Sequence, residues 1–402
     1  MLGIPYLDKI IFELFRPKTL GDGIDRLSSH VTTMICAILA IMVSTKQYVG
    51  HPITCWVPSE FRGEWSAYAN EYCFISNTYQ TNFNSSIPRH KDKSEYTIRY
   101  YQWVPMILFF QAIAFYLPNY FWKKHNSKVL GFNVMDYIGE TRKVCYESYS
   151  VRSKAVSRLA KLLNEHMSDS SDYSKKSTFS LRGKTFAYFY LLTKLFYTLN
   201  VCIQLFLITQ MLGVEFNVSF LTSIFANVSD DEWPTLRAFP RVTFCDFSIH
   251  DLGNIRTYSI QCLLMINMIN EKIFLFQWLW FMILVAATVV SGLIWIQKLM
   301  SFSTRLIIIR GWLKRATRGE EDLMDYADFI GLDGFVIINF VSIITGKAFA
   351  SELVCNSYRA MRKRYQKMSK IARGSEKLDQ EDYSDDDYED DNKSVVMPKA
   401  VA

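Results

Sequence analysis

The sequence predicts an all-α integral membrane protein with four transmembrane helices, and three observations support this prediction. Four segments of the 402-residue chain are apolar over the roughly 20 residues that cross a hydrocarbon core of about 30 Å. Aromatic residues are abundant, with 23 Tyr, 29 Phe and 9 Trp, and 50% of all residues are hydrophobic. Paired cysteines and N-glycosylation motifs lie in two of the loops between these segments. The mean hydropathy of +0.04 hides the pattern, because long polar loops alternate with apolar segments.

The chain divides into ten predicted segments. In order they are an N-terminal segment (1–26), a first transmembrane helix (27–48), a loop (49–102), a second helix (103–122), a loop (123–188), a third helix (189–214), a loop (215–271), a fourth helix (272–297), a C-terminal domain (298–374) and a disordered acidic tail (375–402). The first helix is the most polar, but its hydroxyl side chains can bond their own helix backbone. A fifth apolar run, Phe335–Thr345, is too short to span and predicts a buried helix or strand of a soluble domain.

The second helix carries two prolines, Pro105 and Pro118. Proline removes a helix hydrogen bond, but in a membrane bundle neighbouring side chains can satisfy the freed carbonyl group. Aromatic residues at both ends of this helix are typical of the belts at the membrane surface. They are Tyr100, Tyr101 and Trp103 at one end and Tyr120, Phe121 and Trp122 at the other.

Charge distribution predicts the orientation in the membrane. Residues 123–184 carry 13 Lys and Arg against 6 acidic residues, whereas residues 215–271 carry 3 against 7. Basic residues accumulate in cytosolic loops. We therefore expect the middle loop and both termini in the cytosol, and the loops 49–102 and 215–271 outside the cell.

Cysteines provide an independent test of this orientation. Two lie in each loop that is predicted to be extracellular, where oxidising conditions favour disulfides: Cys55 and Cys73, then Cys245 and Cys262. Zinc is the competing interpretation, but the pairs lack C-x-x-C spacing and nearby histidines show no ligand-like period. Disulfides are therefore favoured. Three predicted glycosylation sites lie in the same loops, at Asn84, Asn217 and Asn227.

A short motif connects the chain to a known family. The segment YYQWVP resembles the signature of innexins, which form gap junctions and plasma-membrane hemichannels; its residues are Tyr100, Tyr101, Gln102, Trp103, Val104 and Pro105. The likeness continues in HPITCWVPSEF (51–61), in FPRVTFCDF (239–247) and, more weakly, in GLDGFVIINFVSIITG (331–346). It covers roughly residues 20 to 365, and two cysteines per loop distinguish it from connexins, which carry three.

The resemblance implies more than the composition does. It implies a subunit with cytosolic termini, a helical cytosolic domain built from the middle loop and the C-terminal region, and octamers that dock in pairs across the intercellular gap. It also implies disulfides between the loops, Cys55 with Cys262 and Cys73 with Cys245. The N-terminal segment would face the pore, which makes Leu2 and Ile4 candidates for its lining. A helix in the first loop would line the vestibule, where the candidates Glu60, Arg62 and Glu64 could equally form an ordinary solvated surface.

Three polar features of the remaining sequence have competing interpretations. Lys194, near the start of the third helix, is expected to extend to the cytosolic surface rather than to act within the membrane. His30 is expected to be hydrogen-bonded rather than a pH gate. The basic stretch 152–166 is expected to be a packed helix of the cytosolic domain rather than a site for acidic lipid or calmodulin.

The sequence contains no G-x-S-x-G, P-loop or H-E-x-x-H motif, so we expect no enzymatic activity, and no cofactor, metal or nucleic-acid partner. Expected partners are other innexin subunits in homo- or hetero-oligomers, an opposing hemichannel and membrane lipid. The alternative function is a four-span adhesion or scaffold protein without a pore, although such proteins typically have a short middle loop. Docking competence is expected, with any glycan held to the flank of the extracellular cap.

Overall fold

The computed structural model describes residues 20–59, 61, 63–80, 97–130, 133–174, 183–212, 239–251, 253–313 and 319–382. The chain forms two compact units. The first comprises Met1–Met135 and Thr185–Phe302, and the second comprises Asp136–Lys184 and Ser303–Ala402. Each unit thus draws on two separate stretches of the sequence.

The described elements are numbered in chain order. The first half of the chain contains α1 (Gly23–Tyr48), β1 (Thr54–Trp56), α2 (Gly63–Ser76), β2 (Thr78–Tyr79), β3 (Thr97–Ile98), α3 (Val104–Leu130), α4 (Val134–Cys145) and α5 (Tyr149–Ser174). The second half contains α6 (Thr185–Leu212), β4 (Val242–Asp251), β5 (Asn254–Leu263), α7 (Met265–Met300), α8 (Phe302–Leu313), α9 (Glu320–Thr345) and α10 (Lys347–Asp382).

The first unit is built on a bundle of four long apolar helices, α1, α3, α6 and α7. Helix α3 runs straight through Pro118, whose missing N–H leaves the carbonyl of Ala114 without its helical donor. The side-chain amide of Asn200 on α6 donates to that carbonyl at 3.1 Å. A neighbouring helix therefore satisfies the freed group, as the sequence analysis expects for a membrane helix.

Helix α1 contains one turn of π-helix, Leu27–Val31, near its start. Its hydroxyl groups bond the helix backbone, as expected: Ser29 Oγ donates to the Asp25 carbonyl at 2.7 Å, and Thr33 Oγ1 donates to the Ser29 carbonyl at 2.6 Å. His30 is buried, and its Nε2 lies 3.2 Å from Nδ2 of Asn119 on α3. This contact agrees with the expectation of a hydrogen-bonded histidine.

A five-stranded antiparallel sheet lies at one end of the bundle, in the order β1-β5-β4-β2-β3. Strands β4 and β5 form a long hairpin whose turn contains Gly253, with φ of +88°, a conformation that suits glycine. The other three strands come from the loop between α1 and α3. The sequence analysis did not predict this sheet, although the fold is predominantly helical, as predicted.

The second unit is helical, and α5 packs against α9 and α10 within it. Val156, Leu159 and Leu163 are buried, so the basic stretch 152–166 belongs to a packed helix, as expected. Leu162, which the sequence pattern groups with them, is instead 46% exposed. Nδ2 of Asn164 donates to the Ser357 carbonyl at 2.8 Å, which fixes α5 on α10.

Five of the described helices are long and apolar enough to cross a membrane, so helix length alone does not confirm four spans. The four predicted spans lie in α1, α3, α6 and α7. The fifth is α9. The prediction that Phe335–Thr345 is too short considered only the apolar run, whereas the helix continues N-terminally across a kink at Gly331. Most of α9 from Leu332 to Val341 is buried inside the second unit, which agrees with the expectation of a buried helix there.

Candidate functional site

Two disulfides join the loop between α1 and α3 to the loop between α6 and α7. Cys55 on β1 lies directly opposite Cys262 on β5, and the two are bonded. Cys73 on α2 is bonded to Cys245 on β4. All four cysteines are buried, and they belong to the same hydrophobic core as residues of the four bundle helices. The pairing is the one that the innexin resemblance implies.

Aromatic rings pack between α2 and the sheet beside the two disulfides. Phe247 on β4 stacks on Tyr258 on β5, with ring centroids 5.5 Å apart. Phe61, just before α2, meets the Tyr258 ring edge-on at 5.2 Å and meets the Trp65 ring at 5.6 Å. Trp65 itself is 57% exposed. Edge-to-face and offset-stacked pairs of this kind add stability beyond their buried area, so the helix and the sheet pack into one layer.

The motif YYQWVP forms the junction between this layer and α3. The carbonyls of Phe74 and Ile75 lie at the end of α2, where a helix leaves its last carbonyls without internal donors. Tyr101 Oη donates to the Phe74 carbonyl at 3.1 Å, and Nε2 of Gln102 donates to the same carbonyl at 2.6 Å. Burial raises the pKa of the Tyr101 hydroxyl to about 12, so it stays a donor at physiological pH. The motif therefore caps α2.

A second junction connects the other loop to α7. Glu271, whose side chain is 1% exposed, pairs with Arg241 at 2.9 Å, and Nδ2 of Asn267 donates to the Pro240 carbonyl at 2.9 Å. The two partners on the loop side, Pro240 and Arg241, immediately precede β4. The sequence analysis counted Arg241 and Glu271 only as loop charges. The spacing of Asn267, Asn270 and Glu271, which places them on one helical face, is the signal that could have found this junction.

The family can be decided at this point. A model of the innexin family matches residues 21–361 of the chain. The chain belongs to the innexin family. It is 36% identical to Innexin-3 of Caenorhabditis elegans over 367 residues, which cover 88% of this chain and 86% of that protein. It is 35% identical to Innexin unc-9 of the same species over 287 residues (68% and 74%), and 31% identical to Innexin-19 of Caenorhabditis briggsae over 384 residues (85% and 87%).

Membership of the family settles the class of protein. Innexins are channel proteins and not enzymes, so this innexin is a gap-junction channel subunit of the plasma membrane. The recognition that rests on the YYQWVP motif is thereby confirmed. Residues of the family motifs supply one cysteine of each disulfide and the hydroxyl group that caps helix α2.

In this innexin the prediction for Lys194 is wrong. The side chain of Lys194 is 5% exposed, so its ammonium group is buried within the protein instead of reaching solvent. Its Nζ lies 2.6 Å from a carboxylate oxygen of Asp22 and 2.7 Å from one of Asp25, both at the start of α1. A lone lysine in an apolar segment gives no sign of such partners, because they lie about 170 residues away in the sequence.

The predicted pore and glycosylation residues are only partly described. Glu64 is the second residue of α2 and is exposed to solvent. The other predicted residues lie outside the described part of the chain: Leu2, Ile4, Glu60, Arg62, Asn84, Asn217 and Asn227. Their roles stay predictions.

Within the described residues, one group of three potential metal ligands lies close together: the sulfur atoms of Cys55, Cys73 and Cys262 are within 4.8 Å of one another. All three are disulfide-bonded, and a metal binds the thiolate rather than the disulfide sulfur. The closeness of the atoms reflects two neighbouring bridges. The two disulfides together form the covalent link between the two loops.

Proposed function

We propose that this innexin forms wide-pore hemichannels that dock in pairs and pass ions and small molecules between neighbouring cells. One four-helix bundle cannot enclose a wide aqueous path, so the pore requires several subunits, and the family leads us to propose eight. Subunits of this innexin alone or mixed with other innexins would supply them. The observation that carries the proposal is the layer of β-sheet and α2, which two disulfides and the YYQWVP motif hold on the helix bundle.

The proposed topology has this layer outside the cell and the helical unit in the cytosol. Disulfides persist in oxidising surroundings, which supports an extracellular position for the layer. The loop that supplies α4 and α5 carries 13 basic against 6 acidic residues, which supports a cytosolic position. Docking needs such a layer, because two opposed surfaces fit only when each one holds its shape before contact.

The proposed pore lining consists of the N-terminal residues Leu2 and Ile4 and of the charges near the start of α2. The exposure of Glu64 supports its contact with the aqueous vestibule, whereas Glu60 and Arg62 rest on the sequence alone. Cysteine substitution at Leu2 and at Glu64, followed by a charged thiol reagent, tests this lining. Reduced current supports it, and unchanged current at both sites after demonstrated labelling contradicts it.

We also propose that glycans on this innexin leave the docking surface clear. Asn84 precedes the return to α3 and Asn217 follows α6 within a few residues, so both are expected near the flank or the membrane, with Asn227 intermediate. A branched glycan at the docking surface would block contact sterically. Asn84→Gln and Asn227→Gln should therefore leave junctional conductance unchanged at matched surface expression. A large rise would place the glycan in the docking plane.

Paired-cell electrophysiology tests the function most sharply, because it separates the pore from docking. Cells that express only this chain should show dye uptake or hemichannel current when single, and junctional conductance when paired. Adhesion of the paired cells without any current or dye transfer would contradict the channel and favour a scaffold. Current in single cells without junctional conductance would contradict docking alone.

A further inference from the structure

A buried ion cluster lies at the end of the helix bundle opposite the sheet. Lys194 is the only charged residue of α6, and its ammonium group contacts Asp22 at 2.6 Å, Asp25 at 2.7 Å and the hydroxyl of Ser291 at 2.8 Å. The side chains of Lys194 and Asp25 are 5% and 8% exposed. The cluster therefore connects α1, α6 and α7, three helices that are far apart in the sequence.

Every carboxylate oxygen in the cluster accepts a hydrogen bond. Oδ2 of Asp22 accepts from Ser291 Oγ at 2.6 Å and from Trp295 Nε1 at 3.0 Å, in addition to Lys194. Its Oδ1 accepts from the backbone N–H of Asp25 at 2.9 Å. Oδ2 of Asp25 accepts from Tyr190 Oη at 2.9 Å. Charge-assisted hydrogen bonds of this number fix a geometry closely, because each one is short and directional.

The same carboxylates also form the N-terminal cap of α1. Asp22 is the N-cap residue, and the side chains of Asp22 and Asp25 bond each other's backbone N–H groups as a capping box. The groups that begin the helix are therefore the groups that attach it to α6 and α7. The start of α1 cannot move by a few ångströms without breaking several of these bonds at once.

Burial makes this attachment strongly dependent on charge balance. A charge in a low-dielectric site is unfavourable unless it is paired, and removing one partner leaves the others uncompensated. Two carboxylates depend here on the ammonium group of Lys194. Loss of that group should release or displace the start of α1, whereas a substitution that keeps the positive charge should keep it in place.

We propose that Asp22, Asp25 and Lys194 are positioning residues for the channel: they hold the start of α1 against α6 and α7 and thereby set the balance between conducting and closed states. This inference rests on the proposed channel function and deepens it. The proposed pore residues Leu2 and Ile4 precede Asp22 in the same chain. The cluster therefore fixes the position of Asp22, from which the chain runs back to these residues.

Removal of the positive charge tests the proposal. Lys194→Met and Asp25→Asn should each lower junctional conductance per surface subunit about tenfold and shift its voltage dependence. Lys194→Arg keeps the positive charge and leaves both capping carboxylates in place, so conductance should stay within about twofold of wild type. The matched control is Arg152→Met, which removes the cation of an ion pair of 2.7 Å in the second unit whose side chains are 33% and 25% exposed. That variant should leave conductance and voltage dependence unchanged.

The outcomes separate a positioning role from a purely structural one. Variants with fewer subunits at the surface but normal conductance and voltage dependence per subunit would overturn the proposal, as would a Lys194→Arg variant that conducts no better than Lys194→Met. If Lys194→Met fails to reach the surface, Asp25→Glu keeps the charge and changes the geometry, and an unchanged voltage dependence in that variant overturns the proposal as well. A wild type without any current contradicts the channel function itself. A conducting wild type with unaffected variants contradicts only the role of the cluster.

Discussion

The two ends of the helix bundle are held by different chemistry, although both ties join the same halves of the subunit. At one end, two disulfides connect the loop between α1 and α3 to the loop between α6 and α7. At the other end, the ion cluster of Lys194 connects the start of α1 to α6 and α7. From Asn267, next to the sheet, to Ser291, in the cluster, α7 extends about 36 Å at about 1.5 Å per residue.

The difference follows from the surroundings that the proposed topology gives to each end. An extracellular surface is oxidising, so cysteines there can form permanent links between loops. A disulfide would not persist on the reducing cytosolic side, where buried charges and hydrogen bonds must do the same work. The two kinds of tie also differ in reversibility. The ion cluster can open without breaking a covalent bond, which makes the cytosolic end the natural place for a conformational switch and the outer end the natural place for a fixed docking surface.

Removal of the covalent tie should have the largest effect. The chain-entropy model gives about 5 kcal/mol for the first bridge, which closes more than 170 residues, and about 4 kcal/mol for the second, which then closes only the short segments between the bridges. Serine at all four bridged positions should therefore abolish junctional conductance and lower the melting temperature of the purified protein. The control is Cys202→Ser, an exposed free cysteine, which should behave as wild type. Conductance retained without both bridges would contradict a fixed outer layer.

The Arg241–Glu271 pair tests whether the outer end also needs a buried charge. Arg241 is 36% exposed, whereas Glu271 is 1% exposed. Arg241→Met should cost about 2 kcal/mol, because the buried carboxylate loses its cation, with the usual cost reduced by partial access to water. Glu271→Gln should cost less, because the arginine can turn to solvent. Melting temperatures of the two variants decide it, and a larger loss for Glu271→Gln would contradict this account of the pair.

The cap of α2 by the YYQWVP motif should have a smaller effect. Gln102→Ala removes donors to the carbonyls of Phe74 and Ile75 at the end of α2 and should cost about 1 kcal/mol. Trp103→Ala, the neighbouring exposed position of the motif, is the control for the loss of a side chain without the loss of the cap. Hydrogen exchange of the last turn of α2 should increase only in the Gln102 variant. Equal exchange in both variants would mean that another group caps the helix.

The smallest effect is expected for the partly exposed ion pair in the second unit. Arg152 and Glu352 are 2.7 Å apart, as close as the partners in the Lys194 cluster. Partly exposed pairs contribute about 1 kcal/mol or less, because water already solvates both charges and salt screens them. Arg152→Ala should therefore change the melting temperature little, and less still at high salt. A loss comparable with that of Lys194→Met would show that distance, and not burial, decides the strength of these pairs.

Much of the membrane part of this innexin can be predicted from its sequence. Apolar runs of sufficient length predict the four helices of the bundle. Pro118 indicates a position where a neighbouring helix must supply a hydrogen-bond donor. The family motif supplies the disulfide pairing. These features are predictable because each depends on local composition or on a short motif.

What sequence reasoning missed depends on contacts between distant parts of the chain. Strands β1 and β2 join β5 and β4 from a loop more than 160 residues earlier, and no local pattern predicts that pairing. The β4–β5 hairpin is local, and its glycine turn between two ten-residue strands is a signal that the prediction overlooked. Lys194 looks like a lysine that extends to the surface because its two aspartates lie at the start of α1. The length of α9 was underestimated because only its apolar run was considered, without the more polar turns that precede it.

Cleavage of the chain between the two halves tests the central comparison most directly. A protease site inserted between α5 and α6, at residues 175–182, lets the halves be separated after the subunit has folded. On a denaturing gel without reductant, the cleaved protein should run as one species of full size, and it should divide into two fragments only when reductant is added. In mild detergent with reductant the halves should stay together, because strand pairing, helix packing and the contact of α5 with α10 also join them. In the Lys194→Met variant, hydrogen exchange at the start of α1 should increase, whereas exchange in the sheet should not. Two fragments on the non-reducing gel would contradict the covalent tie, and hydrogen exchange at the start of α1 that stays at the wild-type level would contradict the role of the ion cluster.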